Sequence, residues 1–194
     1  MRTKIYFIIL LLLVVNRISA QNIDNNKFPN HWIDCVINVI GSYETSTSDW
    51  GTITPNFDGQ GISCGLIQLN IGQSSFQPFF LSFDQNTLER YMPIYGKKMF
   101  EICKLSKKDA LIEIDRFQRN TINSKGKTIV KFNDKGEILA KELSTLLQSN
   151  EGIHKQKELM IKKANKVWNY TKEWATDIRG KKLSTYINRV LSIL

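Results

Sequence analysis

Histidine is nearly missing from this sequence: His31 and His154 are the only two, and they stand far apart. Its three cysteines, Cys35, Cys64 and Cys103, include no Cys-x-x-Cys pair. A zinc site needs clustered His and Cys ligands, and a Cys-His catalytic pair needs partners in company, so the pattern argues against both. No metal and no cofactor is expected. In an oxidising compartment the three thiols would allow one disulfide and leave one cysteine over, and the spacing does not choose the pair. There is no internal repeat, no low-complexity tract and no linker long enough to separate a pair of domains. After the first twenty residues no apolar stretch approaches the ~20 residues needed to cross a bilayer. What remains is a chain of 194 residues with ordinary apolar content, enough for one sizeable core.

The first twenty residues lack acids altogether. Arg2 and Lys4 precede an apolar run from Ile5 to Val15, and the segment ends in Ile18-Ser19-Ala20. That order is the pattern of a secretory signal peptide, with cleavage expected after Ala20. The expected organisation is therefore a signal over residues 1–20 and a single domain over 21–194, secreted or periplasmic, with no integral span. The signal holds three of the 27 basic residues, leaving 24 against 18 acidic ones and a net charge of +6 from Gln21 onward. Such a balance favours anionic partners: wall polymers, lipid headgroups or nucleic acid.

Helical periodicity marks most of the chain. Trp32, Cys35, Val36, Val39, Ile40 and Tyr43 recur as one face, so an amphipathic helix is expected from His31 to about Ser42, capped by Asn30. From Thr45 to Ile71 the period stops, and turns and short strands are expected, with a further helix starting near Leu66. Phe76, Phe79, Phe80 and Phe83 read as core, and a helix from about Asn86 to Tyr91 is interrupted by Pro93. Ser106 and Asp109 have capping-box spacing, opening a helix whose stripe runs to Phe117 and Gln118. Asn133-Asp134-Lys135-Gly136 is either a hairpin turn or a loop between helices. Helices with Leu139, Leu143, Leu146 and Leu147, then with Met160, Val167 and Trp174, follow; Gly180 ends the second, and a last apolar stripe reaches Leu194. The fold class is mainly α (α+β), with a small irregular or β-containing insertion after the first long helix.

The chemistry concentrates in that insertion. Glu44 falls just past the first helix, where the negative end of the helix dipole disfavours a carboxylate. Tyr43 and Trp50 nearby would desolvate it further, so it is the best candidate for a carboxylic acid held protonated, as glycoside hydrolysis requires. An amphipathic helix ending in Glu, a turn-rich segment and then Ser63-Cys64-Gly65-Leu66-Ile67-Gln68 resembles the lysozyme-like superfamily. Goose-type lysozymes and lytic transglycosylases carry a catalytic Glu there, before a Gly-Leu-Met-Gln motif. Asp58-Gly59-Gln60-Gly61-Ile62-Ser63-Cys64-Gly65-Leu66-Ile67 also resembles the Asp-Gly-x-Gly-x-Thr-x-Gly-Ile-Ile stretch of the chitosanase branch, whose Asp is the second catalytic carboxylate. The resemblance covers about a quarter of the chain after the signal, from Trp32 to Gln73. Two features depart from it: Thr45 stands where transglycosylases have Ser, and the expected last element is an apolar helix without the further C-terminal helices that often close a lysozyme-like cleft.

The resemblance implies Glu44 as general acid and Asp58 as the group that positions or activates water, with Tyr43, Trp50, Ser63 and Gln68 binding sugar. An inverting pair would stand about 6.5–9.5 Å apart. On the residues alone, Asp58-Gly59 is also common turn chemistry. Chitosan is a polycation that a protein of net +6 would repel, whereas peptidoglycan and its wall polymers are anionic. The expectation is a monomeric lysozyme-like glycosidase acting on peptidoglycan or a related polysaccharide and not on nucleic acid. A chitosanase-like hydrolase and a non-catalytic wall-binding or inhibitory protein on the same fold are the alternatives.

Overall fold

Glycines, hydroxyls and amides between Asp49 and Gly72 break every helical period, and the backbone there forms short strands instead of a helix. The computed structural model describes residues 49–176 together with Cys35, Ile37 and Val39. The chain divides into two units, residues 37–157 and residues 1–36 with 158–194. In the first unit, β1 (Ile53–Thr54), β2 (Ser63–Cys64) and β3 (Leu69–Asn70) make an antiparallel sheet in that order. Ile53 is opposite Cys64, and Cys64 opposite Leu69. The strands are two residues each, yet Ile62, Cys64, Leu66, Leu69 and Ile71 are buried, so the sheet belongs to the core.

Four short helices follow. In α1 (Phe76–Phe80), Pro78 lies in the first turn, where its missing N–H costs nothing. Phe76, Phe79, Phe80 and Phe83 are buried, with Phe79 and Phe83 edge to face at 5.2 Å, so the phenylalanine stripe is core as expected. Asp84 caps α2 (Gln85–Tyr91) by accepting from Thr87 N at 2.9 Å. α3 (Gly96–Lys104) buries Met99, Ile102 and Cys103. Ser106 caps α4 (Lys107–Asp115), accepting from Asp109 N and bonding the Asp109 carboxylate.

A second antiparallel pair, β4 (Gln118–Ile122) and β5 (Thr128–Phe132), then leads into α5 (Asp134–Gln148) and α6 (Asn150–Thr176). α5 is the central support of the unit. Its stripe of Leu139, Leu143, Leu146 and Leu147 is fully buried, each side chain contributing roughly 1.5–3 kcal/mol, and it packs on α2, β1 and β5. Of the second unit the described portion is Cys35 and the helix from Glu158 to Thr176, where Met160 and Val167 are buried. Among the described residues no helix is long and apolar enough to cross a membrane.

Several expectations need correction. Leu66 does not start a helix: a tight turn at Gly65–Gln68 leads into β3 instead. The stripe from Ser106 ends at Asp115, and Gln118 already belongs to β4. The hairpin lies one element earlier than Asn133-Asp134-Lys135-Gly136. Asn133 instead caps α5, accepting from Gly136 N at 3.0 Å while its amide donates to Arg116 O at 2.9 Å. Helix α3 was not expected at all. Cys35, Ile37 and Val39 are helical, but Ile37 is buried and Cys35 exposed, so the buried face differs from the expected stripe. The signal segment, Gly180 and the terminal stripe lie outside the described residues.

Candidate functional site

Of the six residues singled out in the sequence, Tyr43 and Glu44 lie outside the described residues. The other four sit around the β1–β3 sheet: Ser63 is in β2 itself, and β2 separates Asp58 from Gln68 and Trp50. The β1–β2 loop, at one end, carries Asp58. The β2–β3 turn, at the other, carries Gln68, and Trp50 is anchored beside it.

Asp58 is exposed and accepts from Gln60 N at 3.1 Å, the Asx-turn bond that the Asp-Gly pair also allows. Around it, Asn56 Oδ1 accepts from Gly59 N and Gly61 N, and Asn56 N donates to Gln118 Oε1 at 2.6 Å. The loop is thus locked, and it holds Phe57 at 72 % exposure. Ser63 is buried in the middle strand at 3 % exposure and is out of reach of a polymer in solution.

The turn at the other end is held by one side chain from far along the sequence. Gln156 is completely buried; its Oε1 accepts from Leu66 N at 3.0 Å, and its Nε2 donates to Leu147 O at 3.1 Å and Trp50 O at 3.3 Å. A single amide therefore ties the Gly65–Gln68 turn to the Trp50 segment and the end of α5. Gly65 is needed for this approach: its φ is +73°, and a Cβ there would run into Gln156 Oε1. Gly65 N also donates to Thr52 O at 2.8 Å.

Gln68 closes the turn by donating its N–H to Gly65 O at 3.2 Å, and its φ is +50°. Left-handed backbone is uncommon for a side chain of this size and is retained where the surroundings impose it. Its half-buried amide has one long bond, Nε2 to Gly65 O at 3.5 Å, and its Oε1 accepts no hydrogen bond among the described residues. Trp50 is half-buried, with Lys157 Nζ over its ring at 6.0 Å. Asp49 fixes that segment, accepting from Gly51 N at 2.9 Å and from Gln148 Nε2 at 3.0 Å.

No family model, curated protein or solved structure matches this chain.

The thiols near the sheet are not nucleophiles. Burial pushes the Cys64 thiol well up, with neighbouring Cys103 adding to it, and burial pushes Cys103 up to about 12, so both are protonated at neutral pH. Among the described residues no cluster of three His, Cys, Asp or Glu is placed to hold a metal. The polar and aromatic groups at this end of the sheet are amides and an indole, whose chemistry is hydrogen bonding and stacking.

Sequence reading missed Gln156, Gln148 and Gln118, the amides that hold this region from outside. One signal was there for Gln156: it lies four residues before Met160 on the apolar stripe that continues to Val167, and a polar residue at a core position of a helix asks for a partner. Gln118 was read on the apolar stripe from Ser106 but placed on a helix instead of at the start of β4, and nothing local pointed to Gln148.

Proposed function

We propose that this protein is an exported glycoside hydrolase of lysozyme-like character, acting as a monomer on a β-1,4-linked amino-sugar polymer, with peptidoglycan as the substrate. The observation that carries the reading is the Gly65-Leu66-Ile67-Gln68 turn: Gln68 is held left-handed with its carbonyl oxygen open, at the end of the sheet where Trp50 is anchored. An amide so placed suits an N-acetyl or hydroxyl group, and the indole suits a sugar face. Glu44 is assigned as the general acid that protonates the leaving oxygen. The net charge of +6 after the signal favours anionic wall over cationic chitosan, which makes a chitosanase-like activity the weaker variant.

A second reading has its own support. Asp58 is exposed and its Oδ1 accepts from the Gln60 N–H within its own turn, at the opposite end of β2 from Gln68. With Asp58 serving only its turn and nothing else partnering Glu44, the chain would be a non-catalytic wall-binding or inhibitory protein. Incubating wild type, Glu44→Gln and Asp58→Asn with peptidoglycan and with chitosan, and analysing the fragments, separates the readings. The hydrolase predicts peptidoglycan fragments from wild type and none from Glu44→Gln. Inert protein on both substrates that still sediments with walls would replace it by the binding module. Full activity of Asp58→Asn would remove Asp58 from the mechanism alone.

A further inference from the structure

Between Asp115 and Asp134 the chain carries five basic residues, Arg116, Arg119, Lys125, Lys127 and Lys131, and no acid. Arg116 is paired with Glu113 at 3.1 Å. The other four have no ion-pair partner among the described residues, and the β4–β5 register puts Arg119 directly opposite Lys131. Like charges facing each other across a strand pair destabilise it, so the hairpin carries this arrangement at a cost to its own folding. By the alternation of strands, Arg119 and Lys131 share the face opposite Gln118 and Phe132, the pair buried at the base.

The tip is built as carefully as the faces. Asn123 Oδ1 accepts from Lys125 N and Lys127 N, both at 3.0 Å, Asn123 N donates to Lys127 O at 2.9 Å, and Gly126 takes φ +72°. The turn is rigid, so Lys125 and Lys127 are held out with little backbone entropy left to lose. Beside them Ile122 is 76 % exposed, the most exposed large apolar side chain described.

We propose that this hairpin is a docking prong for an anionic lipid bilayer. Lys125 and Lys127 at the tip meet the headgroup phosphates, and Ile122, two residues from the turn on the face away from Arg119 and Lys131, enters the boundary between headgroups and acyl chains. A polyanion in water, nucleic acid included, would engage the lysines but leave the isoleucine without a role, and the hairpin's one aromatic ring, Phe132, is buried at its base where no base can stack on it. No membrane-crossing helix is required, in keeping with the described residues. The proposal does not depend on the hydrolase reading.

The test is co-sedimentation of the full chain with vesicles of phosphatidylcholine, with and without phosphatidylglycerol, at low and high salt. The apolar run at residues 5–15 is common to every variant, so differences among variants report the hairpin. Wild type should bind the anionic vesicles more tightly than the neutral ones and lose that preference in high salt. Lys125→Gln/Lys127→Gln, confined to the exposed turn, should bind roughly 25-fold more weakly, at about fivefold per cation. Ile122→Ser should weaken binding about tenfold, and Glu44→Gln should bind as wild type does. Circular dichroism checks that each variant is folded. Equal wild-type binding to both vesicle types, or undiminished binding by folded Lys125→Gln/Lys127→Gln, overturns the prong. Unchanged binding by Ile122→Ser, with duplex DNA competing equally against both proteins, overturns the lipid assignment in favour of a general polyanion site.

Discussion

The two antiparallel sheets of this protein stand in opposite surroundings. The β1–β3 sheet has strands of two residues and cannot hold itself, so amides from distant segments of the unit hold it: Gln118 at the Asp58 loop, Gln148 at Asp49, Gln156 at the Gly65–Gln68 turn. The β4–β5 pair has five residues per strand, a turn closed by its own Asn123, and little burial beyond its base. The first is an interior structure held at both ends by distant amides; the second is a surface structure whose exposed side chains carry charge. Where order is imposed from outside, single substitutions should be costly. Where order is local, they should be tolerated.

The strongest way to break that contrast is at Gly65. Gly65→Ala should destabilise the protein by about 2–4 kcal/mol, summing the cost of a left-handed non-glycine residue and the displacement of buried Gln156. Denaturant unfolding measures it, and a loss under 1 kcal/mol, on the order of an exposed glycine change, would show that the turn is not held from outside. Gln156→Leu comes next, at about 2–3 kcal/mol, because it strips partners from Leu66 N, Leu147 O and Trp50 O together. The hairpin should respond with the opposite sign. Lys131→Glu converts the facing cations into an Arg119–Glu pair and should raise stability by a few tenths to about 1 kcal/mol, read as a higher melting temperature.

The smallest effect is an acid one in the helical region. The Thr87 backbone N–H, followed by the Thr87 hydroxyl, holds the Asp84 carboxyl below its usual 3.8. A carboxylate with a depressed folded pKa contributes stability that is present above 3.8 and is lost as pH falls through the lowered value. Asp84→Asn keeps an N-cap acceptor, so it should leave neutral stability nearly unchanged and flatten the acid limb of the stability–pH curve. An acid limb identical to that of wild type would show that this cap does not respond to its charge.

Legibility in the sequence followed the range of the interactions. Ser106–Asp109, the leucine stripe of α5 and the phenylalanine stripe around Pro78 all signal within one or two helical turns, and all were readable. Helix α3 was not, because Tyr95 at its start makes no side-chain cap. Its cap comes from Glu142 on α5, whose carboxylate accepts from Ile94 N and Tyr95 N, both at 2.8 Å. The position of the hairpin was missed for a related reason: Asn133 carries turn chemistry, and only its bonds to Arg116 O and Gly136 N show that it closes one element and opens the next. At the site, Gly65-Leu66-Ile67-Gln68 stood out as a motif, but whether Asp58 shares an end of the sheet with Gln68 depends on strand order, which no local pattern encodes.

By itself, the sequence determined the locally signalled helices, which faces carry the leucines and phenylalanines, where glycine is available for tight turns, and that the stretch from Arg116 to Lys131 is cationic without an acid. Those properties depend on neighbours within a few residues. Tertiary structure alone decided that Gln156 grips the Gly65–Gln68 turn, that Asp58 and Gln68 lie at opposite ends of β2, that Ser63 is buried, and that Arg119 faces Lys131. Each requires groups distant along the chain to meet, and the shared burial that brings them together is a property of the packed core.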